Sequence, residues 1–198
     1  MPTKATPRTA EIKRTTKETD IAVKINLDGG GNGTVATGIG FLDHMLDLFR
    51  VHGGFDVEIS CKGDINVDYH HSVEDVAIVL GQCVKTALGD KKGIKRYASA
   101  LIPMDEALAE VTLDVSGRPF LVFNAELKGK TGDFDLDLIE EFMRALSYNA
   151  GLTAHINLRY GSNGHHIAEA IFKALARALA DAVRIVGDKI PSSKGILE

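Results

Sequence analysis

The chain has no tryptophan, two cysteines and five prolines in 198 residues. Two cysteines, Cys61 and Cys83, cannot build the disulfide framework of a small secreted scaffold. Both fall in segments patterned as regular structure, as buried, reduced thiols do. No apolar run approaches the roughly 18 residues that a membrane span requires. Met1 to Thr19 is polar and mixed in charge, so it reads as neither signal peptide nor anchor. An excess of positive charge is missing too: 23 Lys and Arg stand against 27 Asp and Glu, a formal charge of −4. That excludes the broad basic field that holds nucleic acid. A P-loop, a GxGxxG fingerprint and a serine nucleophile elbow are all absent. The expectation is a cytoplasmic protein whose partners are neither nucleic acid nor membrane. What is present is the ordinary make-up of a folded domain, 44% hydrophobic and 25% charged, with 20 glycines and seven histidines.

The chain repeats itself. His70-His71-Ser72-Val73-Glu74 recurs as His165-His166-Ile167-Ala168-Glu169, 95 residues later. Each copy opens an apolar-periodic helix, from about His71 to Leu88 and from about His165 to Val186. A strand precedes each (Phe55–Cys61, Leu152–Tyr160), and a shorter helix precedes each strand (Gly40–Val51, Asp137–Ala150). Ahead of those lie β-patterned segments: Thr9–Thr16, Ile21–Leu27 and Thr34–Thr37, then Ala98–Pro103, Ala107–Val115 and Phe120–Ala125. Gly29–Gly33 reads as a hairpin turn, and Ser116–Pro119 as another turn. The pattern is βββαβα, twice, over about 9–92 and 93–187, with a tail at 188–198. A half of this size is too small to count on standing alone. The expected fold is therefore α+β across 1–198, two pseudo-twofold halves sharing one core as a two-layer sandwich, sheets facing and helices outside.

The repeated motif carries metal-ligand chemistry. On a helix, residues four apart share a face, so His70 or His71 can share an ion with Glu74. Adjacent histidines differ by about 100° in direction, which suits two ions better than one. Two such motifs about a pseudo-twofold axis would build a two-metal site from imidazole and carboxylate. Those donors suit Mn, Fe, Co, Ni or Zn and do not choose among them. His44 lies 26 residues before His70, and Glu141 lies 24 before His165, each on a short helix. By repeat logic each would add one ligand, although a lone His44 among apolar neighbours also reads as a core histidine. His52 reads as a helix C-terminal residue that could line the site, and His155 as structural.

The sequence closely resembles the imidazoleglycerol-phosphate dehydratase family from about Thr9 to Leu197. The resemblance is carried by Arg14-x-Thr16-x-Glu18-Thr19, Gly40-Phe41-Leu42-Asp43-His44-Met45 and Asp68-Tyr69-His70-His71-Ser72-Val73-Glu74-Asp75. It continues through Pro103-Met104-Asp105-Glu106-Ala107, Ser116-Gly117-Arg118-Pro119, Gly161-x-Asn163-x-His165-His166-x-x-Glu169-Ala170 and Pro191-Ser192-Ser193-Lys194-Gly195. It implies a hydro-lyase of histidine biosynthesis that converts D-erythro-imidazoleglycerol phosphate to imidazole acetol phosphate. It implies two Mn(II) ions per site, held by His44, His70, His71, Glu74, His165, His166 and Glu169. Glu141 stands where many members carry a further histidine ligand. It also implies a homo-oligomeric cage of 24 subunits built from trimers, with active sites between subunits.

The C–H bond to be broken has no adjacent carbonyl, so enolate chemistry is unavailable. The resemblance suggests a metal-stabilised imidazolate that expels the hydroxyl to a diazafulvene-like intermediate. Glu18 matches the family position that reaches the side chain and would be the general acid/base; Asp105 and Glu106 form a second possible pair. Arg96, Arg118, Lys173, Ser192, Ser193 and Lys194 match the substrate-binding set that grips the phosphate. Ser193 replaces the more usual threonine and keeps the hydroxyl. Lys173 lies about two turns beyond His165 on the same helix face. The ligand types alone also fit a dinuclear phosphate-ester hydrolase, or a non-catalytic, metal-assembled cage.

Overall fold

A computed structural model describes residues 7–197; 1–6 and 198 of the expected 1–198 unit lie outside the described residues. The first half contains β1 (Thr9–Thr15), β2 (Thr19–Asn26), β3 (Gly33–Ala36), α1 (Gly40–Gly53), β4 (Asp56–Gly63) and α2 (His70–Leu88). The second contains β5 (Tyr97–Met104), β6 (Ala107–Asp114), β7 (Phe120–Asn124), a short β8 (Lys130–Thr131) and β9 (Phe134–Asp135) pair, α3 (Leu138–Ala150), β10 (Thr153–Tyr160) and α4 (Gly164–Ala182). The mixed α+β class and the βββαβα order hold in both halves. The small β8–β9 hairpin is an addition that the repeat does not contain.

Local chemistry sets the ends. Asn163 accepts the backbone N–H groups of His165 and His166 and so caps α4. Asp68 Oδ1 accepts the His70 N–H at the start of α2. Gly54 closes α1 in the left-handed conformation, at φ 68°. α4 stops at Ala182, short of the expected Val186. The next residues pair with another segment instead: Lys95 N–H donates to Arg184 O, and Val186 N–H to Gly93 O.

Both four-stranded sheets have the same order, β1-β2-β4-β3 and β5-β6-β10-β7. Hence Gly29–Gly33 is not a hairpin turn. β4 sits between β2 and β3, antiparallel to the first and parallel to the second. The glycine run therefore steps across the end of β4, and Ser116–Pro119 makes the equivalent step past β10. The Asp56 carboxylate gathers the run by accepting from the Gly30 and Asn32 backbone N–H groups. At Gly33, φ is 125° and a Cβ would lie 1.9 Å from Val57 O, so only glycine fits this crossing.

The layer order also departs from expectation. The sheets do not face each other. α2 packs on β1 and β2, α4 packs on β5 and β6, and the helices meet across the halves, α1 on α4 and α2 on α3. The order is sheet, helices, sheet. The reason lies in the long helices, which are apolar on more than one side. Val73, Val76, Ala77, Val79, Leu80, Cys83 and Val84 of α2 are all fully buried. So are Ala168, Ala170, Ile171, Ala174, Ala176 and Leu179 of α4, to within 1% exposure. A helix on the outside hides one stripe, whereas one between two layers must be apolar nearly all round. The strands show the complement, an alternation such as Ile21, Val23 and Ile25 inward against Asp20 and Lys24 outward.

Gly81 reports on this arrangement, because a Cβ there would lie 2.8 Å from both Leu146 O and Asn149 Cβ of α3. On an outside helix Gly81→Ala would stabilise by about 1 kcal/mol. Between the layers it is expected to destabilise by about 2 kcal/mol, read from the denaturant midpoint of the variant against the parent.

Candidate metal centre

The helix pairing across the halves builds the site. α1 packs on α4 and carries His44 to the start of the second half's long helix. His44 Nε2 lies 2.9 Å from Glu169 Oε1, and His165 Nε2 lies 3.0 Å from the same oxygen. One ligand atom from each of these three residues falls within 4.8 Å of the others, the only such group among the described residues. The donors are two imidazoles and a carboxylate, and both thiols are elsewhere in the fold. That set fits a divalent ion of the Mn-to-Zn series. Lys173, one turn beyond Glu169, donates to Glu169 Oε2 at 2.6 Å and touches Met104 Sδ.

Burial pushes the Glu169 carboxyl up, but Lys173, His44 and His165 together outweigh it and hold the group at about 2. The carboxylate is thus a fixed negative charge in a buried place. An aromatic wall stands beside it. Phe41 meets the His165 ring edge-on at 5.2 Å, and Phe134 of the β8–β9 hairpin packs on Phe41 at 5.1 Å. With Tyr69 they line a cavity of about 400 Å³ that opens onto His44 and His165.

The first motif is laid out differently. His70 Nε2 and Glu74 Oε2 are 3.8 Å apart and nearly half-exposed, with no third donor among the described residues. Glu141 lies on α3, beside Arg144 at 3.8 Å, and does not join them in this chain. The adjacent histidine rings stand apart, with centroids 6.4 Å apart for His70 and His71 and 6.2 Å apart for His165 and His166, and they take different partners. His71 turns to Asp64, whose hydrogen bond raises its pKa. His166 turns to Glu106, which raises its pKa likewise. Glu106 in turn is held at about 2, by His166 first and then by backbone N–H groups. Glu18 sits in the β1–β2 turn, 3.9 Å from His71 Nε2. That turn is pinned to α2 by the buried Asp75, which accepts from Thr19 Oγ1 and pairs with Arg14, both at 2.6 Å.

Five of the expected phosphate residues come together, Arg96, Arg118, Ser192, Ser193 and Lys194. With Tyr97 and Ser116 they line a cavity of about 240 Å³. Arg96 is held there by two hydrogen bonds to Asp114 and one to Pro191 O. Lys173 is not among these residues; within the chain its ammonium is on Glu169. His155 lies exposed on β10. Burial, and then the charges of Lys173 and Arg177, lower the pKa of His52. Asp64, Asp114 and Phe134 went unmarked in the sequence, since isolated Asp and Phe residues on different elements carry no spacing signal.

Three imidazole and carboxylate donors beside an aromatic cavity, with a cationic cavity elsewhere on the same chain, define a candidate metalloenzyme site for a phosphorylated small molecule. Comparison with known proteins makes this specific. The family model for imidazoleglycerol-phosphate dehydratase matches residues 37–179. The dehydratase of Azorhizobium caulinodans is 57% identical over 194 residues, covering 96% of this chain and 98% of its own. That of Acetivibrio thermocellus is 56% identical over 194 residues, covering 96% and 99%. The crystal structure of the Staphylococcus aureus dehydratase superposes with a TM-score of 0.80 at 46% identity, covering 88% of this chain and 97% of its own. A Pyrococcus furiosus structure, in complex with (S)-C348, gives 0.82 at 36% identity, covering 94% and 100%. The chain belongs to the imidazoleglycerol-phosphate dehydratase family, the hydro-lyases of histidine biosynthesis. Among the described residues, no helix is long and apolar enough to cross a membrane.

The Glu169 carboxyl is held below its ordinary value of 4.5, at about 2. Its ionised form therefore stabilises the fold above pH 4.5, and that contribution is lost as pH falls towards 2. Glu169→Gln is expected to lower the Tm near pH 7, with the gap from the parent closing as pH approaches 2.

Proposed function

We propose that this chain is the manganese-dependent form of the family's activity, with two Mn(II) ions at each site. The observation that carries the reading is the convergence of His44, His165 and Glu169 to within 4.8 Å, a donor group without a thiol. His70, His71, Glu74, Glu141 and His166 complete the donor set. His70, Glu74 and Glu141 have side chains 41–47% exposed and, among the described residues, no third donor in this chain, which fits a site shared between chains. This supports a homo-oligomer with sites between subunits; the cage of 24 subunits built from trimers, and its place in the cytoplasm, are part of the proposal through the family resemblance.

When bound, the ions supply Lewis acidity that favours the anionic form of the substrate imidazole. The protein does the rest. Arg96, Arg118, Ser192, Ser193 and Lys194 hold the phosphate, Arg by its fork and Lys as a point charge. Lys173 adds a cation near Glu169. Phe41, Tyr69 and Phe134 give the cavity beside His44 and His165 an aromatic wall against which the substrate would pack. Glu18 moves the proton at the side-chain carbon as the hydroxyl leaves. Its side chain is half-exposed and lies 3.9 Å from His71 Nε2. The phosphate stays attached throughout, so imidazole acetol phosphate is the product.

Removing metal with a chelator is expected to abolish formation of imidazole acetol phosphate, and Mn(II) to restore it without release of inorganic phosphate. Phosphate release would favour the hydrolase reading. No turnover at full metal loading, with metal altering only assembly, would favour the cage. Glu18→Gln is expected to lower kcat by about 10²- to 10⁴-fold with Mn(II) content unchanged. Arg118→Ala is expected to raise KM with a smaller effect on kcat, since it removes ground-state grip on the phosphate.

A further inference from the structure

Two histidines of the paired motifs, His71 and His166, turn away from the Glu169 cluster, and a carboxylate holds each by the same ring atom. Asp64 Oδ2 lies 3.0 Å from His71 Nδ1, and Glu106 Oε2 lies 2.6 Å from His166 Nδ1. At the other ring nitrogen the nearest carboxylates are Glu18, 3.9 Å from His71 Nε2, and Asp105, 3.7 Å from His166 Nε2. Both are beyond hydrogen-bond reach.

The two holding carboxylates are not copies of one another. Asp64 directly follows β4, whereas Glu106 lies in the β5–β6 turn. The first-half counterpart of that turn is the β1–β2 turn, which carries Glu18. Ancestry alone would put the same element's carboxylate on both rings. Instead, different elements reach the same atom, which points to a constraint on the atom itself. A carboxylate can only accept, so Nδ1 must carry a proton, and in the neutral ring Nε2 then keeps its lone pair.

We propose that Asp64 and Glu106 are positioning residues that lock His71 and His166 as Nδ1–H tautomers, each presenting Nε2 as a metal ligand. The inference rests on the metal-site reading above. It also gives the two turns different duties. Glu106 is fully engaged, because its Oε1 accepts the Asn163 and Ser162 backbone N–H groups while its Oε2 holds His166. In the first half Asp64 takes over the histidine, and the turn carboxylate, Glu18, is left free for proton transfer. Glu106 is therefore a positioning residue rather than a second acid/base.

Glu106→Gln separates these roles. The amide oxygen can keep the Ser162 and Asn163 bonds, so the start of α4 is preserved, while the amide N–H₂ faces Nδ1 and favours the opposite tautomer. Solid-state ¹⁵N spectra of sedimented, histidine-labelled, metal-free protein, at a pH where the rings are neutral, should show one ring switching tautomer. Calorimetric titration of chelator-stripped protein with Mn(II) should show affinity weakened by about 10- to 100-fold. Asp64→Ala should weaken it similarly, whereas Asp64→Asn, whose carbonyl can turn to Nδ1, should retain most of it. Unchanged ring tautomers in Glu106→Gln, or Mn(II) affinity within twofold of the parent in both Glu106→Gln and Asp64→Ala, would overturn the proposal. A parent protein that binds no Mn(II) would sink the functional reading instead, and the tautomer spectra alone would then decide this one.

Discussion

Neither half of this chain can cover its own helices. Each sheet buries one side of its long helix and leaves another apolar side open, so the open sides must be closed by the other half. The closure pairs α1 with α4 and α2 with α3. Everything at the candidate site depends on that exchange. The short helix of the first half delivers His44 to the long helix of the second, where His165 and Glu169 already share a face one turn apart. Weakening the interface between the halves would cost core burial and the donor cluster together, because the same packing supplies both.

Charge placement follows from the same burial. Glu169 lies in the helical layer, where an unpaired carboxylate would be expensive. Lys173, His44 and His165 surround it, and it remains ionised far into the acid range. A buried anion ringed by imidazoles is a prepared place for a divalent ion, since the cost of assembling the negative charge is met when the chain folds. Asp75 plays a parallel part at the other long helix. Paired with Arg14 and bonded to Thr19, it clamps the β1–β2 turn and so sets the distance between Glu18 and His71.

The cationic cavity is built by a third route. Arg96 takes a left-handed backbone conformation, φ 76°, at the start of β5, and its guanidinium bridges Asp114 and the carbonyl of Pro191. That bridge draws the C-terminal segment over the sheet edge, placing Ser192, Ser193 and Lys194 beside Arg118. A tail that reads as an exposed turn becomes one wall of a cavity because a half-buried arginine needs its carbonyl.

Much of this was legible in the residues. The βββαβα repeat, the helix starts at the His-His pairs, the divergence of adjacent histidines and the i, i+4 pairing of His165 with Glu169 all follow from periodicities of two and 3.6. Those are local rules, and a one-dimensional pattern can express them. Three things were beyond it. Which face of a strand or helix is buried is local, but what covers that face is not, so the sheets were expected inside and were found outside. Strand order was likewise hidden, because β4 and β10 insert between strands adjacent in the chain, and a glycine run looks alike in a hairpin and in a crossover. The partners of two site histidines, Asp64 on His71 and Glu106 on His166, lie on other elements, at separations with no periodic meaning. The sequence by itself determined the repeated βββαβα elements and the family. Only the tertiary structure decided that His44 serves the opposite half's motif, because which helix closes which apolar face is a property of the whole core and of no single segment.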